Sequence, residues 1–193
     1  KRMRELGSSE IVNVEFTSIS FSSDAGLIAV LTGAPDYTGL VWDWYSQKLI
    51  AKHSFGSKVT NLTISPEDAY CLCSSGQNHW RIWKVEEKAF KGQNPFSGID
   101  RTQNYLDHDW IDQNTIIAIS DGGETYVVRH FEVIQIIGNA FGRGVDASLT
   151  VVKCTSKGFF VGSSSGVVAY WAKRSVHESA QLDSFKFEFL RSF

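Results

Sequence analysis

The chain has 193 residues, 42% of them hydrophobic, with a formal net charge of −2. That balance suits a globular fold and leaves no basic domain or stripe of the kind nucleic-acid binders carry. No apolar run approaches the roughly 18 residues that a membrane-spanning helix needs, and no segment has the order of a signal peptide.

The basic start, Lys1, Arg2 and Arg4, reads as a solvated terminus. "FTSISFSSD" follows as a first strand ending in the polar turn Ser22-Ser23-Asp24, with Phe16, Ile19 and Phe21 as candidates for an apolar face. Leu27 to Leu31 is a continuous apolar run, as a strand buried on both faces requires. "TGAPDYTGLVWDW" then passes through a turn containing Asp36 into an aromatic strand. Trp42 and Trp44 lie two apart, hence on one strand face, and are expected to pack against the next sheet rather than hold a ligand. Asp36 is expected to accept hydrogen bonds in its turn and tie strands together.

The pattern recurs at Ile64-Ser65-Pro66-Glu67-Asp68, whose serine lies 43 residues after Ser22. "YCLCSS" sets Cys71 and Cys73 on one face of a strand, where they read as small buried hydrophobes rather than metal ligands. "SSGQNHWRIW" follows, then "QNYLDHDW", then the apolar run Ile116 to Ile119. In "SDGGET", Asp121-Gly122-Gly123 leads into the strand "TYVV", so a hairpin turn is predicted rather than a phosphate loop, which needs a helix behind it. After the "GNAFGRGVD" connection come Phe159-Phe160-Val161 and "GSSSGVVAYW". Last is "SFKFEF", whose Phe185, Phe187 and Phe189 alternate with Lys186 and Glu188 as in a half-wet outer strand.

These units share a register. Trp42, Trp83, Val127 and Trp171 fall at corresponding places, spaced 41, 44 and 44 residues apart. Six residues before them lie Asp36, Gln77, Asp121 and Ser165, each in a turn. A period of about 40 to 45 residues with four strands per unit predicts propeller blades. No amphipathic helical stretch of three turns interrupts it. The predicted fold class is all-β: about four four-stranded antiparallel blades of a larger, seven-bladed ring. Residues 1–193 form part of one propeller domain within a longer chain.

The units resemble WD repeats in a divergent form. Only Trp42-Asp43 keeps the Trp-Asp pair, the Gly-His dipeptide is absent, and Gln77 and Ser165 replace the turn aspartate. "FTSISFSSD", "QNYLDHDW" and "SKGFFVGSSSGVV" further resemble the N-terminal propeller of the cilia- and flagella-associated protein 57 family. "GNAFGRGVD" departs from it, standing where family members carry a longer insertion. The resemblance implies an axonemal scaffold with WD propellers and a C-terminal coiled coil. Its implied partners are inner dynein arm components and proteins associated with doublet microtubules, in the reducing interior of a cilium or flagellum.

No constellation for chemistry emerges. In "LDHDW", Asp107 and Asp109 share a strand face and His108 points the other way, so the three cannot converge on a substrate or metal. His53, His79, His130 and His177 lack ligand spacing. Three scattered cysteines suggest no disulfide framework, and the "NLT" triplet at Asn61 sits on an apolar strand, where glycosylation is not expected. The expectation is a non-enzyme without catalytic, cofactor-binding or metal-binding residues, and without nucleic acid, membrane or small-molecule substrate as partners. The partner-binding residues are unknown. The turns Tyr37 to Gly39, His79 with Trp80, and Phe141 to Arg143 are the places where they are sought. Two alternatives stand beside the ciliary scaffold: an intracellular WD-repeat adaptor outside cilia, and a propeller enzyme whose catalytic residues lie on blades outside this segment.

Overall fold

The computed structural model describes residue 6 and residues 15–93, 102–175 and 185–193. Lys1, Arg2, Arg4 and His177 lie outside them. Two compact units divide the chain, Lys1–Pro95 and Phe96–Phe193.

The first unit holds two sheets. One comprises β1 (Phe16–Phe21), β2 (Leu27–Thr32), β3 (Thr38–Asp43) and β4 (Lys48–Ser54), the other β5 (Val59–Ile64), β6 (Cys71–Gly76), β7 (His79–Glu86) and β8 (Ala89–Gly92). The second unit holds β9 (Tyr105–Asp112), β10 (Thr115–Ser120), β11 (Thr125–Arg129) and β12 (Glu132–Ile137) in one sheet. Its other sheet contains β13 (Leu149–Thr155), β14 (Gly158–Ser163), β15 (Val168–Ser175) and β16 (Phe185–Ser192). All four are antiparallel meanders with strands in chain order, and no helix occurs among the described residues. The all-β propeller reading holds: these are four blades of a larger ring.

Asp36, Gln77, Asp121 and Ser165 lie between the second and third strands of their sheets, as the spacing predicts. β2 and β10 are buried along their whole length, which explains their unbroken apolar runs. Ser22 and Ser65 play one role after each sheet's first strand: their N–H groups donate to Leu27 O at 3.0 Å and Cys71 O at 2.8 Å.

In the first unit, Ala29, Leu31 and Val41 meet Leu62, Leu72 and Trp83 of the second sheet. The opposite face of the first sheet is a separate cluster of Ile28, Val30, Leu40 and Trp42, packed with Leu6, Trp44 and Leu49. Trp42 and Trp44 do share a face, but not the one that meets the next sheet. Strand alternation decides it: Val41 takes the next-sheet side, so its neighbour Trp42 must turn away.

Trp83 and Trp171 show the same rule from the other side, each packing toward the sheet before it in its unit. Val127 does not, because it faces the sheet that follows and so corresponds to Val41. The position equivalent to Trp42 is Val128, paired with Ile116 as Trp42 is paired with Ile28. A slip of one residue exchanges the two faces.

The phenylalanine stripe takes the covered face of its half-wet strand. Phe187 is 2% exposed in the core between β9–β12 and β13–β16, so the stripe is not an open outer face. The Gln135 amide fixes this orientation by accepting from Phe187 N–H and donating to Phe187 O, both at 3.1 Å.

Candidate functional site

β9 was the most promising place for chemistry, and its side chains are fully employed in structure. Asp107 and Asp109 project from one face, as alternation requires, toward β13. Asp107 accepts from the Val152 backbone N–H at 2.9 Å and Asp109 from that of Cys154 at 2.8 Å. Lys153 adds an ion pair to Asp109 at 2.7 Å. His108 points away and is 1% exposed. The two carboxylates hold neighbouring sheets together; they do not converge with the histidine.

The first unit repeats the device with hydroxyls. Ser18 and Ser20 accept from the N–H groups of Leu62 and Ile64 at 3.4 and 3.1 Å. Ser18 also donates to Asn61 Oδ1 at 3.1 Å, so the "NLT" asparagine lies within the joint between sheets. The sequence signal for this joint was present as oxygen-bearing residues at alternate positions of three of the four first strands: Ser18 and Ser20, Asn61 and Thr63, Asp107 and Asp109.

One polar relay was not foreseen. Ser74 on β6 receives the Trp83 indole N–H at 2.7 Å, and its Oγ lies 2.7 Å from His79 Nε2. Phe55, Phe90 and His53 surround this group, with ring centroids 4.6 to 6.2 Å from that of Trp83. Burial pushes the His79 ring down to about 4, with Arg81 and His53 adding to the shift. A neutral imidazole wedged among aromatic rings, sharing one serine with an indole, is a packing element rather than a proton shuttle.

The turns sought as partner sites divide. Trp80 is 7% exposed and Phe141 2% exposed, so neither is an exposed anchor. Phe141 and Ala140, from the short "GNAFGRGVD" connection, plug the core of the second unit, and Ala140 O accepts the Trp171 indole N–H at 2.8 Å. Arg143 is exposed, and Tyr37 is half-buried with a φ of 42°. Asp36 does accept hydrogen bonds in its turn, through its backbone carbonyl. Thr38 and Ser54 hydroxyls donate to the Asp36 backbone carbonyl at 3.5 and 3.1 Å, and Thr32 Oγ1 receives Thr38 N–H at 2.8 Å. Asp121 does act through its carboxylate, gripping Asn104 N–H and Nδ2 at 3.2 and 2.6 Å.

Cys71, Cys73 and Cys154 are free thiols. Burial pushes Cys71 up to about 11 and holds Cys73 and Cys154 well above the ordinary range, so all three stay protonated as small apolar groups. Asp121-Gly122-Gly123 forms the predicted hairpin turn, with Gly123 at φ 87° and its N–H on Ser120 O at 3.2 Å. Among the described residues, no group of three His, Cys, Asp or Glu side chains is placed to hold a metal ion. Among the described residues there is no helix long and apolar enough to cross a membrane.

No protein-family model matches the chain. It is 28% identical over 116 residues to mouse (Mus musculus) cilia- and flagella-associated protein 57, covering 58% of this chain and 9% of that protein. It is 27% identical over 71 residues to mouse cilia- and flagella-associated protein 44 and 28% over 74 residues to Xenopus laevis cilia- and flagella-associated protein 43. Those two matches cover 36% and 38% of this chain and 4% and 5% of the relatives. The chain therefore spans under a tenth of the length of these relatives. Among solved structures, it is similar to the β-propeller domain of Myceliophteria thermophila Cps50 (Swd1), with a TM-score of 0.75 and 11% identity. That match covers 92% of this chain and 58% of the propeller. The repeats, the sheets and these likenesses agree: the chain is four blades of a WD-type β-propeller and is similar in sequence to cilia- and flagella-associated proteins 57, 44 and 43.

Proposed function

We propose that this segment is a non-catalytic docking module of the ciliary or flagellar axoneme, part of a propeller that binds other axonemal proteins. Its role would lie in the assembly or regulation of inner dynein arms on doublet microtubules. The observation that carries the reading is the employment of reactive side chains in structure within blades that resemble three ciliary proteins. Asp107 and Asp109 hold strand β13, Ser74 and His79 hold Trp83, and the Cys73 thiol is buried with those of Cys71 and Cys154 partly so. A propeller so built offers rims and edges for protein contact, where a few buried aromatic or Arg residues dominate the energy.

Tagging the full chain in ciliated cells tests this. Isolated axonemes are extracted with detergent and then with high salt. Retention through detergent, and loss of inner-arm dynein when the protein is absent, are the expected results. Recovery in the soluble fraction with normal inner arms overturns the ciliary reading. A second reading is an adaptor outside cilia. It is favoured by 32% identity over 71 residues to the rice (Oryza sativa) small ribosomal subunit protein RACK1y, 37% of this chain and 20% of that protein. The same fractionation separates the two.

A further inference from the structure

Arg81 on β7 is exposed, and among the described residues it meets no carboxylate and no hydrogen-bond acceptor. Other cations of the first unit do: Lys84 of the same strand pairs with Asp68, and Lys91 pairs with Glu86 and Glu87. The Arg81 guanidinium lies over the Trp83 ring, 5.3 Å from its centroid. Stacking of this kind occupies the face of a guanidinium and leaves the N–H fork in its plane open.

Two half-buried imidazoles share the same platform. His53 of β4 lies 4.6 Å and His79 of β7 6.3 Å from Trp83, ring centroid to ring centroid. His79 Nε2 faces Ser74, but its other ring nitrogen and both of those of His53 make no hydrogen bond among the described residues. Burial, and after it the Arg81 charge, holds both rings below the ordinary imidazole value, so Arg81 is the one fixed charge of the three. The chain around them supplies no acid to balance it. Residues 44–66 and 69–85 contain Lys48, Lys52, Lys58, Arg81 and Lys84 but neither Asp nor Glu.

We propose that Arg81, with His53 and His79 beside it, receives a carboxylate from an acidic segment of a partner protein. One carboxylate matches one fixed charge, and its two oxygens match the guanidinium fork. A phosphate group carries about 1.5–2 negative charges at neutral pH and would leave part of that charge unmatched. An arriving carboxylate favours protonation of both imidazoles, whose N–H groups then add to the grip. The site lies within the first unit and does not depend on where in the cell the chain works.

Binding of a fluorescent polyglutamate peptide to the full chain tests this. Arg81→Gln should weaken it by about tenfold or more, as loss of a charged pair does. Lys52 pairs with Leu40 on the other face of the first sheet, so Lys52→Gln should change the affinity by less than about twofold. Arg81→Glu should exchange the preference and bind polylysine in place of polyglutamate, which a misfolded blade would not do. Equal weakening by Arg81→Gln and Lys52→Gln overturns the proposal, because the attraction would then be general rather than local. So does an unchanged affinity in Arg81→Gln, or tighter binding of a phosphoserine peptide than of polyglutamate.

Discussion

His79 shows how burial turns an ordinary residue into a pH-dependent one. Its ring titrates near 4 in the fold, against about 6.5 in an unfolded chain. The unfolded state therefore takes up a proton in the window between these values and the folded state does not. Stability is complete above pH 6.5 and falls as the pH is lowered toward 4, by about 3 kcal/mol at most for this group. Following the His79 ring by NMR should show no protonation above pH 5. Denaturant unfolding of the full chain across that window should show a slope that His79→Phe reduces. Ser74 belongs to the same group: Ser74→Ala leaves the Trp83 indole N–H without its acceptor, at a cost of about 1–3 kcal/mol.

Asp109 makes the stronger residue-scale case. Its side chain is 13% exposed and meets both the Cys154 N–H and Lys153. Asp109→Ala removes a charged acceptor from a buried backbone donor, so thermal unfolding should report a loss of about 2–3 kcal/mol. Asp112→Ala is the comparison. Its pair with Lys173 at 3.3 Å is about a third exposed on either side, and a loss of less than about 1 kcal/mol is expected. Equal losses would show that the β9–β13 joint is not held by Asp109.

Among elements, β16 is hydrogen-bonded to its neighbouring sheet through one side chain. Gln135 makes two hydrogen bonds with the Phe187 backbone, and Phe187 is the most deeply buried residue of its stripe. Phe185 lies below the Arg129 guanidinium of β11 at 4.8 Å, a further tie between the sheets, and below Lys173 Nζ of its own sheet at 4.1 Å. Gln135→Ala should raise hydrogen exchange along β16 while leaving β13 protected. Unchanged exchange in β16 would assign its anchoring to the phenylalanines alone. Alternation made the Phe185, Phe187 and Phe189 stripe visible from the residues. Its direction was not visible, because period two names two faces without saying which is covered.

The other misreading comes from where the counted residue sits within its turn: the third and fourth turns, 121–124 and 164–167, are equally long, but Asp121 opens the one and Ser165 is second in the other. The connection from second to third strand runs through 33–37 in the first sheet, 77–78 in the second and 121–124 in the third. A fixed offset of six residues from the turn finds Trp42, Trp83 and Trp171. In the third sheet it finds Val127 in place of Val128. Only the pairing with Ile116 restores the register.

For the molecule as a whole, uncovered apolar surface governs behaviour. Ile19, Phe21 and Phe16 are at least half exposed on β1, and Val151, Phe160 and Val168 are 38–50% exposed on β13, β14 and β15. Exposed apolar side chains gathered on one sheet face favour association over a free monomer. The 193-residue segment expressed alone is therefore expected to be insoluble or only partly folded. Size-exclusion chromatography and calorimetry check this, and a monodisperse monomer with one cooperative transition would show that these four blades suffice.

The sequence by itself determined the fold class, the four repeats, the turns holding Asp36, Gln77, Asp121 and Ser165, and the divergence of Asp107 and Asp109 from His108. These rest on local periodicity and turn chemistry, which a chain carries in its own order. Tertiary structure alone decided which face of each sheet meets a neighbour. It turned Trp42 away from the second sheet, buried Trp80 and Phe141, and set Ser18, Ser20, Asp107 and Asp109 against backbone donors more than 40 residues away. Alternation fixes each strand's two faces, but only the packing of whole sheets selects the one that water leaves.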